Sequence, residues 1–129
     1  MTLKMSAAML GVEDLNRAKA FYADGLGCSI AADYPQFVSL DLGDGSSTLA
    51  LYPRDGAAQD AGVSPEGSGF RGMSFHFIVD SNDQVDEVIG QAAAAGGTVV
   101  REAADAKWGG YFGYFADPDG YLWKVAANS

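Results

Sequence analysis

The chain has 129 residues, 48% hydrophobic and 19% charged, a composition typical of one compact globular domain and not of a disordered or fibrous chain. Its net charge of -9, from 17 acidic residues against 8 lysines and arginines, argues against nucleic acid or an anionic membrane as a partner. The single cysteine, Cys28, excludes an internal disulfide and suits the reducing cytoplasm, and no segment approaches the roughly 20 apolar residues of a membrane helix.

The first half of the chain reads as one strand, one helix and three strands. A strand is predicted over residues 6–12, and Asp14 is placed to cap a helix by accepting backbone N–H bonds. Apolar residues recur at helical spacing at Leu15, Ala18, Phe21 and Tyr22. After glycines that favour a helix end, three β-rich runs cover residues 28–32, 36–42 and 46–52.

Residues 53–72 are rich in glycine and proline and poor in large apolar residues, so we predict a connecting loop. A loop of this length can serve as a lid over a site or as a plain connector, and the sequence leaves both open.

The second half repeats the order of the first. A strand is predicted over residues 73–79, and Ser81 with Gln84 has the spacing of a capping box. The helix that follows has its apolar face at Val85, Val88, Ile89, Ala92 and Ala95. Three further β-rich runs cover residues 98–101, 111–116 and 121–126. The turn at residues 117–120 explains its two aspartates, Asp117 and Asp119, without a catalytic role.

The repetition predicts an α+β fold of two βαβββ modules with curved mixed sheets, in which the sheet face that each helix leaves open is closed by a second curved sheet or by a ligand. We expect one domain over residues 1–129, with module one at 3–53, a linker at 54–71 and module two at 72–127.

The motifs resemble those of the vicinal oxygen chelate superfamily, which includes glyoxalases, bleomycin resistance proteins and dioxygenases. The opening carries Val12-Glu13-Asp14-Leu15, then Ala20-Phe21-Tyr22 and Gly25-Leu26-Gly27. The second half carries Ala95-Gly96-Gly97-Thr98, Trp108-Gly109-Gly110-Tyr111 and a final hairpin from Phe115 to Trp123. The resemblance covers nearly the whole chain except the linker, and it implies the two-module fold and a homodimer.

The resemblance also implies where metal-dependent members hold their ion: on the first and last strand of each module. Counting from the shared motifs, these positions are Ala7, Ala50, Ser74 and Lys124. Two are alkyl groups, serine is a poor ligand and lysine is a cation that repels a metal. We therefore expect no metal site and no cofactor. This expectation argues against the metal-dependent lyase and extradiol dioxygenase reactions of the family.

The candidate ligand-binding residues combine these positions with strand alternation and with the start of the final hairpin, where Trp108 and Tyr111 are expected to line the mouth of the cavity. His76, the only histidine, shares its face with Ser74, and Lys124 is expected to face the same cavity. The full set is His76, Lys124, Trp108, Tyr52, Tyr111, Ser74 and Leu122. Each has an alternative: His76 as a structural hydrogen-bonding residue, Lys124 extended to solvent, Trp108 packed in the core. No catalytic residue is assigned.

These observations favour a metal-free protein that binds a small organic molecule of unknown identity. Two alternatives stay open. The first is a glyoxalase-like lyase or isomerase, or a dioxygenase-related enzyme, with a shifted or non-standard site. The second is an accessory interaction module whose cavity is vestigial.

Overall fold

The computed structural model describes residues 2, 5–67, 70–71, 73–107 and 109–127. Its internal contacts divide the chain into two units, Met1–Glu66 and Gly67–Ser129. Each unit contains a four-stranded mixed sheet with helices, which confirms the predicted fold class of two repeated α+β modules. In the described part of the chain, no helix has the length and apolar character needed to cross a membrane.

The first unit begins with β1 (Ala7–Val12), α1 (Leu15–Lys19) and a π-helical segment (Ala20–Gly25). Asp14 caps α1 as predicted, since its Oδ1 accepts from the Arg17 amide at 3.0 Å. Three strands follow: β2 (Ser29–Tyr34), β3 (Phe37–Asp41) and β4 (Thr48–Pro53). The sheet order is β1-β4-β3-β2, with β1 and β4 parallel and the other pairs antiparallel.

The core of the first unit lies between this sheet and the first helical stretch. Alternate strand residues point to the helix and are almost fully buried: Leu10, Val12, Val38, Leu40, Leu49 and Leu51. The helical stretch covers them with Ala18, Phe21 and Tyr22. Burial of such aliphatic and aromatic side chains contributes about 1.5–3 kcal/mol each, which sets the register of the sheet.

The segment that we predicted as a connecting loop begins with an eight-residue helix, α2 (Arg54–Ala61). Asp55 occupies its first turn, where a carboxylate complements the helix dipole, and Gly62 ends it in the left-handed conformation. A Cβ on Gly11 would lie 3.2 Å from the Arg54 Cα, so α2 begins against the face of the sheet opposite α1. The periodicity of α2 is weak because its residues are mostly small or polar, which is why the sequence did not reveal it.

The second unit has β5 (Phe75–Val79), α3 (Asn82–Ala94), β6 (Thr98–Asp105), β7 (Tyr111–Ala116) and β8 (Leu122–Ala127). The sheet order, β5-β8-β7-β6, repeats that of the first unit. Ser81 caps α3 by accepting from the Gln84 amide at 3.2 Å, as predicted. The buried residues of α3 are Val85, Ile89 and Ala92.

Strand β6 is longer than predicted and its pairing with β7 is irregular. The register shifts between Val99 and Arg101 and again between Arg101 and Ala104. Gly113 of β7 lies against this irregular stretch, where a Cβ would come within 2.9 Å of both the Ala103 nitrogen and the Arg101 oxygen. A bulge of this kind disturbs side-chain alternation and can re-aim a side chain.

Candidate functional site

The sheet of the second unit aligns one polar side chain from each of its four strands. His76 of β5 is the register partner of Lys124 on β8, and Lys124 is the partner of Tyr114 on β7. Tyr114 in turn pairs with Arg101 on β6. Because register partners project from the same face of a sheet, these four side chains form a continuous line. We call His76, Lys124, Tyr114 and Arg101 the polar row.

The polar row lies on the face of the sheet opposite α3. Tyr111, whose side chain points to α3, donates a hydrogen bond from its hydroxyl to the Asp86 carboxylate at 2.6 Å. Tyr114 lies three positions further along β7 and therefore projects from the other face. His76 and Arg101 are exposed, and Lys124 and Tyr114 are half-buried, so the row is accessible to a ligand.

One aromatic ring contacts both permanent cations of the polar row. The Lys124 Nζ lies 4.5 Å from the centroid of the Phe112 ring, and the Arg101 guanidinium carbon lies 4.6 Å from it. Contacts of this kind orient the cations and contribute about 0.5–1 kcal/mol at exposed sites, but they leave the charge unneutralised. Over the described residues, neither cation forms an ion pair with a carboxylate.

His76 is held at the edge of the row by Ser74. The Ser74 Oγ and the His76 Nε2 are 3.2 Å apart, a hydrogen bond whose direction depends on the imidazole tautomer. The structure thus brings together three residues that the sequence singled out, Ser74, His76 and Lys124, on adjacent strands.

A second line of side chains runs parallel to the polar row, two residues away from it on β5, β7 and β8 and three residues away on the irregular β6. Its register partners are Ile78, Ala126, Phe112 and Ala104, one from each strand, and we call them the apolar row. Ile78 is 56% exposed. The face opposite α3 therefore carries a polar and an apolar line next to each other.

The remaining predicted ligand-binding residues lie elsewhere. Leu122 lines a small depression with Arg71, Met73, Phe75 and Tyr121. Tyr52 belongs to the first unit, where its ring meets that of Phe37 edge-on at 6.2 Å. Trp108 lies outside the described residues.

Tyr111 is not brought together with the polar row, although the sequence grouped it with the cavity. Its hydroxyl is engaged with Asp86 of α3, on the other face of the sheet. The hydrogen bond to Asp86 raises the pKa of Tyr111, with desolvation and the negative charge of Asp86 adding to the effect. This tyrosine therefore stays protonated and attaches β7 to the helix.

The turn before β8 uses the Asp117 side chain and the Asp119 backbone as hydrogen-bonding groups. Asp117 is buried, at 3% exposure, and its Oδ1 accepts backbone N–H bonds from Asp119 and Tyr121, each at 2.9 Å. The guanidinium of Arg71 donates to the Asp119 carbonyl at 2.9 Å and lies 4.4 Å from the Tyr121 ring centroid. These contacts fasten the hairpin.

The side chains at the family's metal positions do not fit a divalent cation. Ala7 and Ala50 offer methyl groups, the Ser74 hydroxyl is bonded to His76, and Lys124 offers an ammonium group. Over the described ranges, no three His, Cys, Asp or Glu side chains are grouped closely enough to hold an ion. A divalent metal needs several converging lone pairs, and this set does not supply them.

Three residues of the site were missed from the sequence: Arg101, Tyr114 and Phe112. Tyr114 and Phe112 alternate with the buried Phe115 in a strand that was predicted, so the alternation could have identified their face. Arg101 could not be placed in this way, because the irregular pairing on both sides of it breaks the alternation of β6.

Comparison with known proteins agrees with this architecture. The sequence profile of the glyoxalase/bleomycin resistance protein/dioxygenase superfamily matches residues 4–125. No curated protein matches the chain. Among solved structures, a glyoxalase-related enzyme from Fulvimarina pelagi is 28% identical with a TM-score of 0.87, over 98% of this chain and 89% of that one.

Two further structures are similar. A hypothetical protein from S. aureus is 25% identical, with a TM-score of 0.84 over 98% of this chain and 94% of that chain. A lactoylglutathione lyase from Agrobacterium tumefaciens is 26% identical, with a TM-score of 0.72 over 98% and 95% of the two chains. Since the family profile spans almost the entire sequence, this chain belongs to the glyoxalase/bleomycin resistance protein/dioxygenase superfamily.

Proposed function

We propose that this chain binds a small organic molecule without the help of a divalent metal. One observation carries the proposal: the polar row and the apolar row lie side by side on an accessible face of one sheet. Binding sites for small molecules combine apolar surface with a few polar groups that fix orientation. Lys124 and Arg101 are available for that task because no described carboxylate neutralises them.

The chemistry at the family's metal positions supports the metal-free part of the proposal. Lys124 occupies one of these positions on the last strand, and a cation there repels a metal ion. The neighbouring His76 supplies at most one ligand nitrogen, because its Nε2 is already bonded to Ser74.

Elemental analysis tests the metal-free part. We expect untagged protein, purified without chelators, to contain Zn, Ni, Mn and Fe far below one equivalent. The His76→Ala variant and a control, Gln59→Ala on the exposed side of α2, are expected to contain equally little. Near-stoichiometric metal in the wild type and the control, lost only in His76→Ala, would overturn the metal-free proposal.

A thermal-shift screen of neutral, cationic and anionic small molecules tests the binding part. A ligand at a hundredfold excess over its Kd is expected to stabilise the protein by about 2.7 kcal/mol, a shift that is easily measured. A hit that also perturbs the NMR signals of β7 and β8 supports the proposal. A broad library without any hit contradicts it and favours an interaction module.

An enzymatic role is the second candidate, favoured by the similarity to a lactoylglutathione lyase. Such a lyase or isomerase needs a group to move a proton, and His76 is the residue in the row suited to do so near neutral pH. Turnover of lactoylglutathione by the wild type, abolished in His76→Ala, would replace the binding proposal with this one.

We also infer from the family that the chain forms a homodimer. Light scattering is expected to give about twice the 13.4 kDa of one chain. A monomer at high concentration would contradict this inference.

A further inference from the structure

We propose that the ligand is a small organic oxyanion with an apolar body, whose carboxylate or phosphate binds to the polar row while its body lies on the apolar row. This inference rests on the proposed binding function and names the class of ligand. Nothing in it depends on the first unit of the chain.

The charge of the polar row is opposite to that of the molecule. The chain has 17 acidic residues against 8 basic ones, yet Arg101 and Lys124 lie on one face with no described carboxylate paired to either. Both cations contact the Phe112 ring, and an anion from solution can neutralise them there.

The donors of the row suit an oxyanion in particular. A guanidinium presents parallel N–H groups that match two oxygens of a carboxylate or phosphate, and an ammonium adds a point charge. The Tyr114 hydroxyl, between Lys124 and Arg101 in the register, supplies a further donor. His76 extends the row beyond Lys124 at the β5 edge.

The apolar row places a hydrophobic surface directly beside these donors. The Lys124 Nζ and the Arg101 guanidinium carbon lie 4.5 and 4.6 Å from the centroid of the Phe112 ring, and residues two positions apart along a strand have Cα atoms about 6.7 Å apart. Ile78 and Phe112 are the largest side chains of the apolar row, and the exposed Ile78 has surface to lose on binding. An acid with one ring or a short chain spans both rows.

NMR titration of the isotope-labelled full chain tests the inference with four probes. Benzoate and phenyl phosphate carry the two oxyanions, hexanoate replaces the ring by an alkyl chain, and benzamide is the neutral analogue of benzoate. We expect at least one oxyanion probe to shift signals of Lys124, Tyr114 and Arg101, with benzamide at least tenfold weaker. Comparison of the affinities for benzoate and phenyl phosphate shows which oxyanion is preferred.

Four variants assign the binding to the row. Lys124→Met and Arg101→Gln are each expected to weaken oxyanion binding about tenfold, or about 1.4 kcal/mol, through the loss of a charge-assisted hydrogen bond. Lys107→Gln removes the same charge from an exposed position near β6 but outside the row, and its binding is expected to match the wild type. Arg101→Lys keeps the charge at this position. Circular dichroism of each variant checks that a loss of binding is not a loss of folding.

Each contrary result has a distinct meaning. Equal binding of benzamide and benzoate, or no binding of any oxyanion probe, overturns the oxyanion inference. If neutral molecules still stabilise the protein in the thermal-shift screen, the binding function itself survives. An equal loss in Lys107→Gln shows that net charge, and not the row, attracts the anion, and this too overturns the inference.

Discussion

At the scale of single residues, the neighbours of Lys124 and Cys28 determine which chemical role each side chain suits. Lys124 stands where metal-dependent relatives are expected to hold a ligand, and its Nζ lies over the Phe112 ring, which the Arg101 guanidinium also contacts. Cys28 follows the π-helical segment, and its amide donates to the Tyr22 carbonyl at 2.9 Å. Cys28 is half-buried, an environment that suits a packing residue rather than a nucleophile.

Burial raises the pKa of the Cys28 thiol above its ordinary value. Less thiolate is then present at any pH below that value, so iodoacetamide is expected to alkylate the folded protein more slowly than a cysteine peptide at pH 7.5. The rate should match that of the peptide once guanidinium unfolds the chain. Because Cys28 is the only cysteine, mass spectrometry reports on it alone. Faster alkylation of the folded protein would contradict this assignment.

The direction of this shift also gives a pH dependence of stability. A thiol whose pKa is raised on folding binds its proton more tightly in the folded state. Its contribution to the free energy of unfolding is therefore fully present below the pKa that the thiol has in the unfolded chain. This contribution is lost as the pH rises through the pKa of the folded state. Cys28→Ala is therefore expected to flatten the alkaline side of the stability profile.

At the scale of elements, the close approach of β6 to β7 determines where Arg101 points. Gly113 permits this approach because it has no Cβ, and the space that a Cβ would fill is occupied by backbone atoms of β6. The irregular pairing around Arg101 and the glycine opposite it are thus parts of one local arrangement.

Gly113→Ala is expected to destabilise the protein by about 1–3 kcal/mol, since the added methyl lies 2.9 Å from backbone atoms that cannot move alone. The matched control is Gly90→Ala in α3, where a Cβ meets nothing within 4 Å. That change should stabilise the protein by about 0.5–1 kcal/mol through helix propensity. Urea denaturation measures both, and equal effects of the two variants would contradict the close approach of the strands.

At the scale of the whole molecule, the net charge of -9 and the local cations of the polar row act over different distances. Charges are screened over about 8 Å at physiological ionic strength, so a small anion at the row responds mainly to Arg101 and Lys124. A polyanion extends far beyond the row and meets the acidic surface.

Duplex DNA and anionic vesicles are therefore expected not to bind, even at low ionic strength, where electrostatic attraction is greatest. Fluorescence anisotropy with labelled DNA and vesicle sedimentation measure this. A variant with Arg101→Gln and Lys124→Met serves as the control, and it should behave like the wild type. Salt-sensitive binding that this variant loses would show that the row attracts polyanions as well.

The sequence alone predicted the order of the strands, the helices capped by Asp14 and Ser81, and the repeated α+β fold, but it did not predict α2. The predicted features depend on local periodicity and on hydrogen bonds between residues close in the chain, so a sequence pattern is enough to identify them. The family resemblance singled out Ser74 and Lys124, and side-chain alternation along the predicted strand added His76, which pairs with Lys124 in the structure.

The contacts between side chains on different strands could not be predicted without the folded chain. The pairing of Lys124 with Tyr114, and of Tyr114 with Arg101, depends on the register between strands that are separated by turns and irregular pairing. Tyr111 was grouped with the cavity on its position in the hairpin, but its parity and its bond to Asp86 put it on the helix side. The register of the second sheet is set by the burial of its other face against α3. This is a long-range effect, so the sequence around Arg101 does not indicate it.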